Sequence, residues 1–469
     1  MRLLYLHQHF STAEGATGTR SLAMAEALAA RGHRVTLACG QYAGAASGLT
    51  GPFAAGRREG RVGGLRVVEF AIPCGNAQGF LARTGAFLRF AAAATRLALA
   101  EDWDMVIASS TPLTVALPAL AARAWRGIPF LFEIRDPWPE LPRAMGVGGG
   151  PLGWWAMDRL ADAACRQAAA VVTLSEGMAE TARRHGAAPE RVTVLPNGCD
   201  TELFGPAATP WRPEGVGRGE LLAVYAGAHG AANGLDQLLS AARLLEAQGA
   251  PLRLLLVGEG GEKPRLRARA AALGLRRVEF LDPLPKPRLA GLLAGAQIGV
   301  QCLAPVPAFA EWTSPNKLMD YLAAGLPVVA NLGGRAARLL ESDPLGACGV
   351  ATPPGDVPAL AAALAGLAAD PVRRAAMGMA ARAQAEARWA RWRLAERFCD
   401  TVEQARGTPE GGSPVTSFRD AYRPQESGLG MGSRWLHLPA PAGAFPEGMR
   451  GAAASSRVVA ARRQQVESP

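Results

Sequence analysis

The sequence predicts an α/β protein of two doubly wound parallel-sheet domains facing one another across a cleft, followed by a structureless tail. Three observations carry that expectation. The chain has 469 residues, 49% of them hydrophobic, which is enough for two or three domains with cores of their own. Strand, loop, helix, glycine stop and strand recur along it, the rhythm of βαβ units. A stretch rich in Gly, Pro and Arg, from Pro196 to about Glu220, interrupts the rhythm before it resumes.

The elements follow in order. Leu3–Leu6 reads as a short buried strand. Met1-Arg2-Leu3-Leu4-Tyr5-Leu6 resembles the start of an export signal, but the apolar run stops at His7, short of a usual h-region. A helix over Ser21–Arg31 closes at Gly32, and strand Val35–Ala38 follows. Further strands fall at Met105–Ser109, Phe130–Ile134, Val171–Leu174 and Val192–Leu195. The second series opens with strand Leu221–Tyr225, a helix near Leu235–Glu246, strand Leu252–Val257 and a helix after Lys263. Strands Val278–Leu281, Ile298–Leu303 and Pro327–Ala330 complete it. The resulting division is residues 1–205 for the first domain, 206–384 for the second, and 385–406 for a helix crossing back onto the first. Residues 407–469 turn rich in Gly, Pro, Ser and Ala without a sustained period and read as a disordered tail.

Composition narrows the partners. A net charge of +10 suits a nucleotide, a diphosphate lipid or a membrane surface. Nucleic acid is not expected, because the arginines are scattered through Ala-rich helices rather than interleaved with aromatics on one face. The 7 cysteines are dispersed, with no CxxC, and read as reduced thiols of a cytosolic protein. No run approaches the roughly 18 apolar residues of a spanning helix, so membrane contact would be peripheral. Phe80–Ala100 places Arg89 and Arg96 beside a stripe with Phe87 and Leu88, which suits either an anionic lipid surface or a core helix with a basic rim. No metal is expected. Asp102-Trp103-Asp104 precedes a strand instead of ending one, and His7-Gln8-His9 has no evident third ligand.

The richest constellation runs from Glu311-Trp312-Thr313-Ser314-Pro315-Asn316-Lys317 through Leu318-Met319-Asp320-Tyr321-Leu322 to Ala323-Ala324-Gly325-Leu326-Pro327. Ser314 suits an N-cap and Pro315 the first helical position, with Gly325 as the stop. Asn316, Lys317 and Asp320 share a face near the positive helix end, which favours a diphosphate, and Asp320 could accept from a ribose diol. The plain alternative is a Lys317–Asp320 surface pair. Elsewhere, Gly15-Ala16-Thr17-Gly18-Thr19-Arg20 is a βα loop whose amides can approach a phosphate. It has no dehydrogenase GxGxxG fingerprint. Gly258-Glu259-Gly260-Gly261 is a turn or a close approach for a nucleotide base. Gly227 and His229 follow a second-domain strand, where His229 is either structural or a phosphate or sugar contact. Arg135, Asp136 and Glu140 lie just past a strand's carboxyl end, and Asp136 is the choice for acceptor or acid/base contact.

The helix segment resembles the nucleotide-sugar-binding helix of family-4 glycosyltransferases with the GT-B fold, two Rossmann-like domains about a cleft. Asp320 with Leu322-Ala323-Ala324-Gly325 carries the likeness. Four further segments, around Phe132–Glu140, Leu174–Met178, Leu195–Asp200 and Tyr225–Gly230, resemble the branch that builds bacterial capsule, colanic-acid and O-antigen saccharides, including fucosamine transferases. The resemblance runs from Met1 to about Arg406. It implies an enzyme of the cytoplasm, either free there or at the cytoplasmic face of the inner membrane, retaining, without cofactor or metal. Its donor is a nucleoside-diphosphate sugar, first of all a UDP sugar, held by the second domain, and its acceptor is a saccharide or a polyprenyl-diphosphate-linked one on the first domain. Donor-site residues would be Gly15, Gly18, Arg20, Gly227, His229, Gly258, Glu259, Glu311, Ser314, Asn316, Lys317 and Asp320; Arg135, Asp136 and Glu140 would meet the acceptor; Asp136, Lys317 and Asp320 would serve catalysis. The chain departs from the pattern in places. Trp312 stands where the family's first acidic residue precedes Asp320, with Glu311 beside it. The family's cations align near Ala228 and Asn233, so phosphate neutralisation falls to Lys317, backbone amides and Arg20. Rival classes are a GT-B sugar-nucleotide epimerase, a nicotinamide dehydrogenase and a non-catalytic nucleotide-sugar-binding protein.

Overall fold

The computed structural model describes residues 1–75, 78–217, 219–312 and 314–407. The expected tail beyond Gly407 lies outside the described residues, as does Thr313. The first sheet comprises β1 (Arg2–Leu6), β2 (Arg34–Tyr42), β3 (Arg57–Val62), β4 (Leu65–Cys74), β5 (Met105–Ser109), β6 (Phe130–Ile134), β7 (Ala170–Thr173) and β8 (Val192–Val194). Their spatial order is β3-β4-β2-β1-β5-β6-β7-β8, parallel except for β3. Its helices are α1 (Arg20–Ala30), α2 (Phe80–Ala100), α3 (Ala116–Arg126), α4 (Glu140–Ala144), α5 (Gly150–Gln167) and α6 (Glu176–Arg184). The second sheet holds β9 (Leu221–Ala226), β10 (Leu252–Val257), β11 (Val278–Leu281), β12 (Ile298–Gln301), β13 (Val328–Ala330) and β14 (Gly349–Ala351). It is parallel throughout, in the order β11-β10-β9-β12-β13-β14. With it come α7 (Asp236–Ala247), α8 (Lys263–Ala272), α9 (Lys286–Ala294), α10 (Phe309–Trp312), α11 (Asn316–Ala323), α12 (Gly334–Glu341), α13 (Val357–Ala369), α14 (Pro371–Gln384) and α15 (Arg391–Arg406).

The central strands are apolar runs because helices cover both of their faces. Every residue of β5 and β6 is buried. Helices α2, α3 and α5 pack Phe87, Phe90, Ala119 and Ala164 on one face of the first sheet. Helix α1 and the returning α15 fill the other with Leu28, Leu394 and Phe398, and Phe398 stacks on Tyr5 at 6.2 Å. In each sheet the strand order reverses once, between β1 and β5 and between β9 and β12, and the loops at those carboxyl ends form a ligand crevice in doubly wound sheets.

The reading from sequence passed over the β3–β4 hairpin and β14. Strand β3, Arg57-Arg58-Glu59-Gly60-Arg61-Val62, is a charged edge without an apolar alternation, turned by Gly63 (φ 56°) and Gly64. The last helix starts at Arg391 rather than Trp389, after a π-helical turn over Ala385–Trp389.

The chain passes between the domains twice, and the two passages are laced together. The Cys199 amide donates to Trp389 O at 2.8 Å, and the Arg391 amide to Cys199 O at 2.8 Å. The Arg391 guanidinium reaches Thr19 Oγ1 (2.9 Å) and Gly198 O (3.2 Å).

Arg20, expected to neutralise phosphate, is placed elsewhere. It is 2% exposed, and its Nε donates to Glu133 Oε1 at 2.8 Å in a pair sealed from water. Its remaining nitrogens donate to Pro196 O (2.7 Å) and Leu195 O (3.0 Å), at the start of the outward passage. Glu133 also accepts from Ser109 Oγ (2.5 Å) and Tyr5 OH (3.3 Å). Burial alone would raise the Glu133 pKa, but the charges of Arg20 and Arg135 and the Ser109 hydrogen bond outweigh it and hold the carboxyl below its ordinary value. The stability this adds is present above the unfolded glutamate range of about pH 4.3 and is lost as pH falls through the lowered folded value.

Removing one partner strands the other as a buried charge, which costs about 3–5 kcal/mol. Arg20→Met and Glu133→Leu should each lose that much in chemical denaturation, and the double variant clearly less than their sum. Additive losses would contradict the pairing.

Candidate functional site

At the mouth of the first domain, Arg135 follows β6 and turns back over β1. Its NH1 donates to His7 Nε2 at 2.7 Å, and its amide donates to Ser110 Oγ at 3.0 Å. Burial, and then the Arg135 charge, push His7 well below its ordinary pKa. It is therefore neutral, accepts from Arg135 on Nε2, and donates from Nδ1 to Ser21 Oγ at 2.7 Å. Asp136 is half-buried and accepts from Thr111 Oγ1 at 2.6 Å. A cavity of about 550 Å³ is lined by residues that include Phe10, Gly40, Tyr42, Cys74 and Gln78, with the Tyr42 ring 4.1 Å from that of His9.

Two expected first-domain contacts are committed inward. Glu140 Oε1 lies 2.8 Å from His185 Nε2, and Asp162 holds the other ring nitrogen at 2.8 Å. The hydrogen bond to Glu140 raises the His185 pKa against the effect of burial, aided by that to Asp162. Glu140 thus joins α4 to α6 and is not presented to an acceptor. Gly15 is buried where a Cβ would collide with Ser11 Oγ at 2.2 Å, so it packs the loop down rather than facing a ligand. Gly18 differs. A Cβ there would stand 3.3 Å from Asn316 Nδ2 and 3.8 Å from Arg135 NH2, so this loop, Arg135 and the second domain meet.

On the other side, α11 begins the donor-binding candidate. Ser314 does not cap it. Its hydroxyl accepts from the Asn197 amide at 3.0 Å and its carbonyl from Asn197 Nδ2 at 2.6 Å, so it latches the domains instead. Pro315 holds the cap position, and among the described residues no side-chain hydrogen bond caps the helix, which leaves its first-turn N–H groups for another acceptor. Lys317 stands on that turn. Its Nζ donates to Tyr225 OH (2.9 Å) and Asn233 Oδ1 (2.9 Å) and lies over the Tyr225 ring at 4.4 Å. Burial pushes the ammonium down to about 8.

Gly227 makes that placement possible, since a Cβ on it would come within 2.5 Å of Lys317 Cε. Gly258 in turn accommodates Gly227. It has φ +145°, and its Cβ would fall 1.9 Å from Gly227 O, so its open side is filled by backbone and not left for a base. The Glu259 carboxylate is exposed and accepts from Lys263 Nζ at 3.1 Å. His229 is fully buried, 6.0 Å from the Tyr225 ring and 6.1 Å from Phe280. Burial, then the charge of Lys263, push it down to about 4, and neither ring nitrogen has a hydrogen-bond partner among the described residues.

Asp320 is 3% exposed and accepts from Lys286 Nζ at 2.5 Å, with that ammonium also over Phe204 at 5.4 Å. It is thus a buried ion-pair member and not an open partner of Lys317. The Glu311 side chain is exposed, while its backbone carbonyl accepts from Ser175 Oγ at 2.8 Å across the domains. Sequence reasoning passed over Tyr225 and Lys286, whose roles arise from partners far along the chain, and over the Asn197–Ser314 and Ser175–Glu311 latches. Asp102 and Asp104 serve Arg126 NH2 (2.7 Å) and the Arg2 amide (2.6 Å), at the opposite end of the sheet. All seven cysteines are buried and free. Among the described residues no helix is long and apolar enough to cross a membrane.

Residues 15–198 match the glycosyl transferase 4-like domain, and residues 220–370 match glycosyl transferases group 1. A D-inositol 3-phosphate glycosyltransferase of Kribbella flavida is 33% identical over 210 residues, 42% of this chain and 47% of the relative. The chain thus spans about half the length of that curated relative. Sucrose-phosphate synthase of Thermosynechococcus elongatus has the same architecture, with TM-score 0.67 at 18% identity over 87% of this chain and 100% of its own. HepE of Anabaena, solved with UDP-glucose, gives TM-score 0.59 at 19% identity over 86% and 100%. These likenesses establish the GT-B fold.

A cation on an uncapped helix end should make diphosphate affinity pH-dependent. UDP binding followed by calorimetry from about pH 6 to about pH 9.5 should weaken as pH rises past about 8, where free Lys317 loses its proton. Lys317→Met should bind about tenfold or more weakly, with a flat profile over that range. An unchanged profile would remove Lys317 from the site.

Proposed function

We propose that this chain, with a glycosyl transferase 4-like domain followed by a glycosyl transferases group 1 domain, is a glycosyltransferase using a nucleoside-diphosphate sugar, first of all a UDP sugar. One observation carries the reading. The uncapped start of α11 and the Lys317 ammonium stand where Asn316 meets the Gly18 loop and Arg135 of the first domain. Of the two cations absent near Ala228 and Asn233, one has a counterpart in space, because Lys317 Nζ hydrogen-bonds Asn233 itself.

In the proposed reaction the bond from the sugar's anomeric carbon to the diphosphate oxygen breaks, and an acceptor hydroxyl oxygen bonds to that carbon. Charge builds on the departing diphosphate, where Lys317 and the helix amides stabilise it without reorganising. Asp136, oriented by Thr111, accepts from a neighbouring hydroxyl of the acceptor and so positions the attacking one, whose own proton passes to the leaving diphosphate. Attack from the face the leaving group departs would retain configuration without a protein nucleophile. Lys286 already occupies one oxygen of Asp320 beneath the site, and a ribose would meet that carboxylate only from its remaining side. The acceptor is proposed as a saccharide, free or polyprenyl-diphosphate-linked, in cell-surface polysaccharide synthesis. A relative named for D-inositol 3-phosphate adds that compound to the acceptors worth testing.

The test is a mass-spectrometric screen of UDP and GDP sugars against short lipid-diphosphate saccharides and inositol phosphate. A glycosylated product is expected. Lys317→Ala and Asp136→Asn should each lower its formation by about a hundredfold at unchanged melting temperature. Donor isomerised or hydrolysed without a glycosylated product would indicate an epimerase, and nucleotide binding without any turnover a binding protein.

A further inference from the structure

We propose that the acceptor is an acidic saccharide, its carboxylate or phosphate held between Arg83 and Arg135. The inference rests on the transfer reaction proposed above and names its acceptor class. Arg83 stands one turn before Phe87, on the inner side of α2, and its guanidinium lies over the Phe87 ring at 5.7 Å. The Phe87 ring is 6.3 Å from that of His9, and His9 is 6.3 Å from His7, which accepts from Arg135. The two guanidinia therefore flank His9. Burial, then the charges of Arg135 and Arg83, push the His9 pKa down to about 3, so the ring between them is neutral. Neither guanidinium has an ion-pair partner among the described residues.

Two like charges near one another without a counterion form an arrangement that a bound anion relieves. The place of Arg83 adds to this. It lies in the first turn of α2, which has no side-chain cap and no acidic residue there, so a cation and the positive end of a helix coincide. Buried polar atoms without a hydrogen-bond partner among the described residues gather at the same spot: Arg83 Nε, His9 Nε2 and Gln78 Oε1. Gln78 and Tyr42 line the cavity of about 550 Å³, a size that suits a small ligand. The Arg83 charge reaches Cys74 in the same wall, where it opposes the rise that burial causes in the thiol's pKa. The cavity's own cation is already committed, since Arg58 donates to Glu69 at 2.8 Å and to Gly51 O at 3.0 Å. Trp138, two residues past Asp136, lies 6.5 Å from Phe87, which sets the anion near the carboxylate that positions the attacking hydroxyl. A ring for a sugar face, an amide for hydroxyls and two arginines for an anion fit an acidic sugar better than a neutral one.

The experiment is calorimetric titration of the full chain, with UDP present, by three disaccharides of one skeleton that end in glucose, glucuronic acid or phosphorylated glucose. Both acidic forms should bind about tenfold or more tightly than the neutral one, and the tighter of the two identifies the anion. Arg83→Gln should erase that preference and Arg83→Lys restore part of it, with UDP affinity and melting temperature unchanged in both. Equal affinity for all three, no binding of any, or a preference that survives Arg83→Gln would overturn the inference and leave the transfer reading intact. An Arg83-dependent preference for acid, with no glycosylated product from any donor in the mass-spectrometric screen, would sink the transfer reading alone and leave this corner a binding site for acidic saccharides.

Discussion

Much of the cleft depends on one buried ion pair. Arg20, at the start of α1, and Glu133, near the end of β6, sit in the interior with almost no water access. Such a pair adds little net stability over apolar residues of the same size, since both charges lose their hydration. Its consequence is geometric. The guanidinium fork is planar and rigid, and each of its three nitrogens is engaged: Nε by Glu133, the other two by the carbonyls of Leu195 and Pro196. Those carbonyls directly follow β8, the last strand of the first sheet. Fixing them fixes where Asn197 stands, and Asn197 holds Ser314 just ahead of α11. A constraint inside the first domain thus sets where the second domain presents its helix.

On the candidate donor side, the positive charge stands on a helix rather than after the first strand of the sheet. With Asn233 and Ala228 neutral, positive charge arrives from α11 as Lys317, reaching across because Gly227 has no side chain to block it. The ammonium is partly desolvated there, which lowers its pKa and strengthens any contact with an anion once formed. Ser314, diverted to the latch, leaves the helix end uncapped. Both features lose something in the ligand-free chain that a bound diphosphate would restore.

The fold was largely legible because β1, β5 and β6 are covered on both faces and read as unbroken apolar runs between glycine-closed helices. The β3–β4 hairpin was not, since β3 buries little and carries arginines, although the Gly63-Gly64 pair is a recognisable turn signal. Among the candidate site residues, Lys317, Asn316 and Gly18 were singled out in the sequence by helix position and loop composition. Arg20, Glu140 and Asp320 were read as open charges and are instead paired with Glu133, His185 and Lys286, well removed in the chain. A charge at a strand's carboxyl end looks the same in sequence whether it awaits a ligand or a distant side chain. Only the packing of the elements between decides.

The most direct measurement is a crystal structure of the chain with an intact nucleoside-diphosphate sugar. The account predicts the diphosphate at the first turn of α11, with Lys317 Nζ turned from Asn233 onto a phosphate oxygen and the sugar lying between Asn316 and the Gly18–Arg135 corner. A nucleotide bound elsewhere, with Lys317 still on Tyr225 and Asn233, would contradict it.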